Sequence, residues 1–137
     1  MPSKEPTYKK PREVIEYYEE CTWLDPTNVP PMFENDKVSV FYDKYPVTKG
    51  HLLFVPKKND VDHVGEAYKL AFYCGEEWIK EGKMDGFNIG QNIGAAAGQS
   101  IFWPHVHFIP RHNGDSDKGK HNGIRLSFPK GNHQNFY

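Results

Sequence analysis

The sequence predicts an α+β fold: a mainly antiparallel sheet of about five strands, with one long helix and one short one. Three observations predict it. Apolar residues Val64, Ala67, Leu70, Ala71, Cys74, Trp78 and Ile79 recur near i, i+3, i+4, i+7 across residues 62–83, with charges between them. Short β-rich runs bounded by turn residues lie on both sides of that helix. Aromatic residues reach 15%, with eight Tyr and nine Phe, which suits sheet surfaces and stacking sites more than a helical bundle. The strands follow one another directly or through the one long helix, so the arrangement is α+β rather than a repeated βαβ alternation.

In chain order, residues 1–11 are polar with three prolines and read as a loose arm. Residues 11–21 read as the short helix, with Pro11 in its first turn and acids near its start. Residues 25–31, DPTNVPP, are a connector. Residues 37–43 (KVSVFYD) and 51–56 (HLLFVP) read as two strands of a hairpin, joined by the turn residues of 44–50 (KYPVTKG). The long helix follows and ends at Glu81 and Gly82. Residues 86–90 and 101–109 are the next strands, and 124–128 is a short strand within an otherwise irregular tail, 112–137.

At 137 residues the chain is read as one domain, 1–137, long enough to bury a core without disulfides or a structural metal. A net charge of −1 gives no global basic excess for a nucleic-acid backbone, though one pocket can still be positive for a small phosphorylated ligand. Cys21 and Cys74 are too few for a disulfide framework or a cysteine zinc knuckle and read as packing. The first residues hold no apolar signal core, and no apolar run reaches membrane-spanning length, so a cytoplasmic protein is expected.

The chemistry concentrates in residues 100–111, SIFWPHVHFIPR. On a strand, Trp103, His105 and His107 share one face and Val106 and Phe108 the other. Two imidazoles spaced about 7 Å along one face can serve one reacting group as nucleophile and proton donor. Just upstream, residues 92–100 (NIGAAAGQS) offer small residues whose backbone N–H groups can approach an anion, with Gln99 and Ser100 adding side-chain donors. Three other readings compete: incidental histidines on a solvated strand; a metal site, His-x-His completed by His51 or His112; and a dinucleotide loop built on Gly90, Gly94 and Gly98. The last lacks both Gly-Lys-Ser/Thr and a βαβ unit and is rejected.

Residues 98–111, GQSIFWPHVHFIPR, resemble the signature of the histidine-triad (HIT) family, three histidines alternating with apolar residues behind Gly-Gln-Ser/Thr. The match extends through residues 50–56 and 85–92 and forward into 110–115 and 123–125, so it covers roughly 33–125, and it most resembles the dinucleoside-polyphosphate hydrolase branch. The resemblance implies that His105 is the nucleophile and His107 the third histidine, while Trp103 stands where the family has its first. It places Gly98, Gln99 and Ser100 on the α-phosphate, Asn92 on phosphate or ribose, Asp43 on ribose, and His51 beside the catalytic imidazole, with Ser100 also assisting the departing group. Trp103 is expected to keep the absent histidine's backbone-carbonyl role. Pro104, which has no N–H, is expected to leave the strand locally unpaired.

What the resemblance further implies is a nucleotide hydrolase that cleaves at the α-phosphate of a dinucleoside polyphosphate or nucleoside phosphoramidate through a nucleotidyl-histidine. No cofactor or protein-held metal is required, and Mg²⁺ would enter only with the substrate. The partners implied are a small nucleotide and a second copy of the chain in a homodimer, with no nucleic acid and no membrane. Two alternatives stand beside it: a nucleotidyltransferase or phosphorylase of the same superfamily, and a nucleotide-binding regulator with little turnover. The uridylyltransferase branch carries His-Pro-His-x-Gln; this chain shares Pro104 but has His107 in place of that Gln, which favours hydrolysis.

Overall fold

The computed structural model describes residues 15–25, 27–116, 123–128 and 130. Its centre is a five-stranded antiparallel sheet in the order β1-β2-β3-β5-β4. The strands are β1 (Phe33–Glu34), β2 (Val38–Tyr42), β3 (Leu52–Pro56), β4 (Gly86–Gly90) and β5 (Val106–Arg111), and the long helix α1 spans Val61–Lys80. β5 pairs antiparallel with both β3 and β4. Those two therefore run parallel to each other, and α1 is the crossover between them.

The helix forms where its periodicity predicts. Asp60 caps it by accepting the N–H of His63 at 2.8 Å. It stops at Gly82, whose φ of 78° lets Lys83 and Gly82 return N–H bonds to Trp78 and Ile79, a left-handed C-terminal cap. Its buried face is made of small residues, Ala67, Ala71 and Gly75, so it lies close to the sheet; any Cβ at Gly75 would run into the Phe87 ring. Beneath it Val38, Val40, Leu52, Phe54, Val106 and Phe108 form the larger core.

The opposite sheet face is also covered. Phe41, Leu53, Val55 and Trp103 pack there with Cys21, and Ile15, Tyr18, Trp23 and Leu24 close over them. Because both faces are buried, residues 52–56 are apolar throughout rather than alternating.

Three expectations need correction. The described part of 11–21 is not a helix: Tyr18–Glu20 and Thr22–Leu24 are single 3₁₀ turns. Cys21 between them is extended (φ −69°, ψ 142°), which lets Tyr18, Cys21 and Trp23 all meet the sheet, as one continuous helix could not. Residues 11–14 and the arm before them lie outside the described residues, as does much of the tail. The fifth strand is Phe33–Glu34, while residues 124–127 make a 3₁₀ turn. Finally, β5 starts at Val106, not at Ile101. Pro104 cannot donate to a ladder, and the carbonyl of Trp103 is engaged by a side chain instead. No described helix is long and apolar enough to cross a membrane.

Candidate active site

A cavity of about 790 Å³ opens on the sheet face away from α1. Its wall brings together Asp43 after β2, Asn92, Gly98 and Ser100 from the loop after β4, and His105 and His107 at the start of β5. These are six of the eight residues expected from sequence. The other two lie behind the wall. Gln99 turns into its own loop, its carbonyl oxygen accepting the Gly94 N–H at 2.8 Å and its amide donating to the Ile101 carbonyl at 3.0 Å. With Gly94 and Gly98 both at positive φ near 90°, that staple gives the small-residue loop its shape. His51, only 4% exposed, sits beneath His107.

His105 is 6% exposed. Its Nδ1 lies 2.8 Å from the carbonyl oxygen of Trp103. A carbonyl only accepts, so Nδ1 carries the hydrogen and Nε2 is left with its lone pair. Trp103 is itself fixed, its indole N–H donating to the Pro56 carbonyl at 2.8 Å and its ring buried in the second core. The backbone role expected of Trp103 is present.

The tautomer of His107 follows from a longer chain of bonds. The Val47 N–H donates to His51 Nδ1 at 3.1 Å, so neutral His51 carries its hydrogen on Nε2. That Nε2 is 2.9 Å from His107 Nδ1 and 3.2 Å from Asp43 Oδ2. His107 Nδ1 must accept, and its hydrogen resides on Nε2. The two histidines, with ring centroids 5.2 Å apart, thus hold opposite tautomers: one presents a lone pair, the other a donor.

Burial lowers the pKa of all three imidazoles. For His105 the Trp103 bond and Asp43 oppose it; for His51, Asp43 does. For His107, burial and the neighbouring histidines bring it to about 4 against the pull of Asp43. All three are neutral at pH 7.

Asp43, His51 and His107 hold atoms within 4.8 Å of one another, close enough to suggest a metal. The bonding does not fit one. A metal on His51 Nε2 would force its hydrogen onto Nδ1, against the Val47 N–H already pointing there. Of the two third ligands considered from sequence, His51 is thus a hydrogen-bond partner, and His112 is absent from the cluster.

The sequence reading missed Trp23, Lys44 and Tyr45, which also line the cavity. The Trp23 ring lies over Phe41 and meets the His105 ring edge-on at 5.0 Å. Trp23 comes from a segment with no strand or helix periodicity, so only its size and isolation hinted at a role.

The comparisons with known proteins bear on the family and the fold. The HIT domain matches residues 31–114. A HIT-like protein of Methanocaldococcus jannaschii is 35% identical over 100 residues, covering 69% of this chain and 78% of that one. The adenylylsulfatase HINT3 of Arabidopsis thaliana is 32% identical over 91 residues, 61% of this chain and 46% of that longer protein. A hypothetical histidine triad nucleotide-binding protein of Sulfolobus tokodaii has 39% identity and a TM-score of 0.52, with 68% of each chain covered. A matched domain spanning most of the sheet, together with relatives at this level of identity, settles the assignment: the chain belongs to the histidine-triad (HIT) family.

Proposed function

We propose that this protein hydrolyses nucleoside phosphate derivatives at the α-phosphate through a nucleotidyl-histidine on His105. The observation that carries the reading is the fixed tautomer of His105, whose hydrogen is held by the Trp103 carbonyl. Neutral His105 attacks phosphorus through Nε2, and the positive charge that develops on the ring is stabilised at Nδ1 by that carbonyl. The bond to the departing atom breaks with its electron pair. His107 Nε2–H and the Ser100 hydroxyl are the donors on the wall that hydrogen-bond phosphoryl oxygen or supply the departing atom's proton. Water then attacks the intermediate, releasing the nucleoside monophosphate and neutral His105 and returning a proton. In this reading Asn92, Gly98 and Asp43 hold phosphate and ribose, Gln99 shapes the phosphate loop, and His51 orients His107.

The electrostatics favour a phosphoramidate over a polyphosphate. Among the described residues lining the cavity, Asp43 and Lys44 carry the formal charges, and the imidazoles are neutral. With one charge of each sign, such a wall has no net positive charge to offset a polyphosphate leaving group, and a phosphoramidate asks less of it. The relative named as an adenylylsulfatase, with 32% identity, supports hydrolysis over transfer. A homodimer belongs to the same reading: β4 is an edge strand, and Phe72 and Tyr73 on α1 are 56% and 63% exposed.

The test is to incubate wild type and His105→Ala with an adenosine phosphoramidate and with diadenosine tetraphosphate, with and without phosphate, and to resolve the products. AMP from wild type alone, faster from the phosphoramidate, is expected. ADP appearing only with phosphate would establish phosphorolysis instead, and binding without product would overturn both enzymatic readings.

A further inference from the structure

The loop between β2 and β3 does more than deliver Asp43 and His51. We propose that the main-chain N–H of Val47 is a positioning group for the site, fixing the tautomer of His51 and thereby which nitrogen of His107 carries the hydrogen that faces substrate. The inference rests on the roles given above to His105 and His107.

Along this line of atoms, each group excludes one tautomer of the next. A neutral imidazole has one N–H and one lone pair. Left to itself beside Asp43, whose Oδ2 is 3.8 Å away, His107 Nδ1 would gain by carrying the hydrogen toward the carboxylate. His107 Nε2 would then present a lone pair to an anionic phosphoryl group, which it would repel. The structure prevents this by inserting His51 Nε2 at 2.9 Å from His107 Nδ1, nearer than the carboxylate. His51 can play that part only with its hydrogen on Nε2, and the group that holds it so is the Val47 N–H on the far nitrogen, at 3.1 Å. The same loop anchors both ends of the arrangement. Asp43 Oδ1 accepts the Tyr45 N–H at 2.8 Å, the Asp43 N–H bonds the His51 carbonyl at 2.9 Å, and the His51 N–H bonds the Thr48 carbonyl at 3.1 Å. One backbone group on each side therefore assigns the two imidazoles: the Trp103 carbonyl makes His105 a nucleophile, and the Val47 N–H, acting through His51, makes His107 a donor.

The full chain labelled with ¹⁵N-histidine tests this by NMR of the ring nitrogens at neutral pH. The wild-type spectrum should show hydrogen on Nε2 and none on Nδ1 for both His51 and His107, and the reverse for His105. Hydrogen on His107 Nδ1 would overturn the proposal without any variant. Replacing the Pro46–Val47 amide by an ester removes the N–H while keeping the shape. It should populate the Nδ1–H form of His107 and lower kcat on an adenosine phosphoramidate about tenfold or more, with KM changed less than twofold. Val47→Ala, which keeps the N–H, should keep the wild-type ring-nitrogen pattern. An ester variant with unchanged tautomers and unchanged kcat would refute the role, and if it fails to fold the wild-type spectrum still decides. If wild type turns over no nucleotide, the proposed function fails while the spectrum separately judges the tautomer chain.

Discussion

The two faces of the sheet are built on different principles. Under α1 the packing is an apolar cluster, and the pieces come from a periodic helix and regular strands. On the other face, a smaller apolar cluster supports a wall of imidazoles, a carboxylate and a glycine-rich loop. Here the pieces come from the turns around Trp23, the loop after β2, the loop after β4 and the irregular residues before β5. The first face stabilises the molecule without doing chemistry. The second has backbone groups left over from its irregular path, such as the Trp103 carbonyl and the Val47 N–H, and spends them on orienting side chains. Regular structure would have consumed those groups in a ladder.

The largest test of that contrast is His105→Ala. It should lower kcat/KM by about 10³-fold or more while leaving urea unfolding within about 1 kcal/mol of wild type. The matching substitution under the helix, Phe54→Ala, should cost about 3–5 kcal/mol of stability; an activity loss without destabilisation there would break the comparison. Trp103 belongs to both roles, which makes it the sharper probe. Trp103→Ala should cost about 3–5 kcal/mol by emptying the second core. Trp103→Phe keeps most of the packing and the backbone carbonyl but strands the Pro56 oxygen, so it should cost about 1–3 kcal/mol and leave kcat within a few-fold.

Acid provides the next, smaller separation. His107 binds its proton at about 4 in the fold against about 6.5 in the unfolded chain. Between those values the unfolded state holds more protons, so stability falls as pH drops through that window and is flat above it, by up to about 3 kcal/mol from this group. His105 and His51 shift the same way. Replacing His107 with Gln should flatten the dependence of unfolding free energy between pH 4 and 6.5. The acid limb of kcat/KM, set by the neutral nucleophile, should lie below 6.5 in the wild type; a limb above that value would mean His105 is not desolvated as its surroundings require.

The helix-covered face was legible because burial writes itself into periodicity: α1, Val61–Lys80, falls on the periodic run expected over 62–83 and ends before Gly82, and Val106 and Phe108 alternate with His107. The site was legible only through its motif. His105, His107, Ser100, Gly98, Asn92 and Asp43 do converge on one cavity, but the spacing of Asp43 or Asn92 alone says nothing of that convergence. Trp23 and Val47 were missed: the first reaches His105 from a segment whose extended Cys21 breaks the helix pattern, and the second acts through a backbone atom that every residue but proline possesses. Strand β1 is two residues long, too short to carry any alternation, whereas residues 124–128 had the composition of a strand but begin with the 3₁₀ turn Ile124–Ser127.

The finest distinction concerns what holds the residues around Trp23 over the second face. Ser39 is fully buried on β2, and its hydroxyl meets the Tyr18 hydroxyl at 2.6 Å, a polar tie between these turns and the sheet. Tyr18→Phe removes one hydroxyl and leaves the other buried, so it should cost about 1–2 kcal/mol, less than any core truncation. Its effect on activity should be indirect. Tyr18 touches Trp103, and three and five residues further along Cys21 and Trp23 carry the chain over Phe41 to His105. Loosening the tie should therefore raise KM several-fold through a less ordered cavity wall while kcat, set by tautomers fixed from Trp103 and Val47, changes less. The double variant Tyr18→Phe/Ser39→Ala, with no unpaired hydroxyl left behind, should recover part of the lost stability. If it recovers none, these turns are held by apolar packing alone, and the two faces differ less in how they are built than their chemistry suggests.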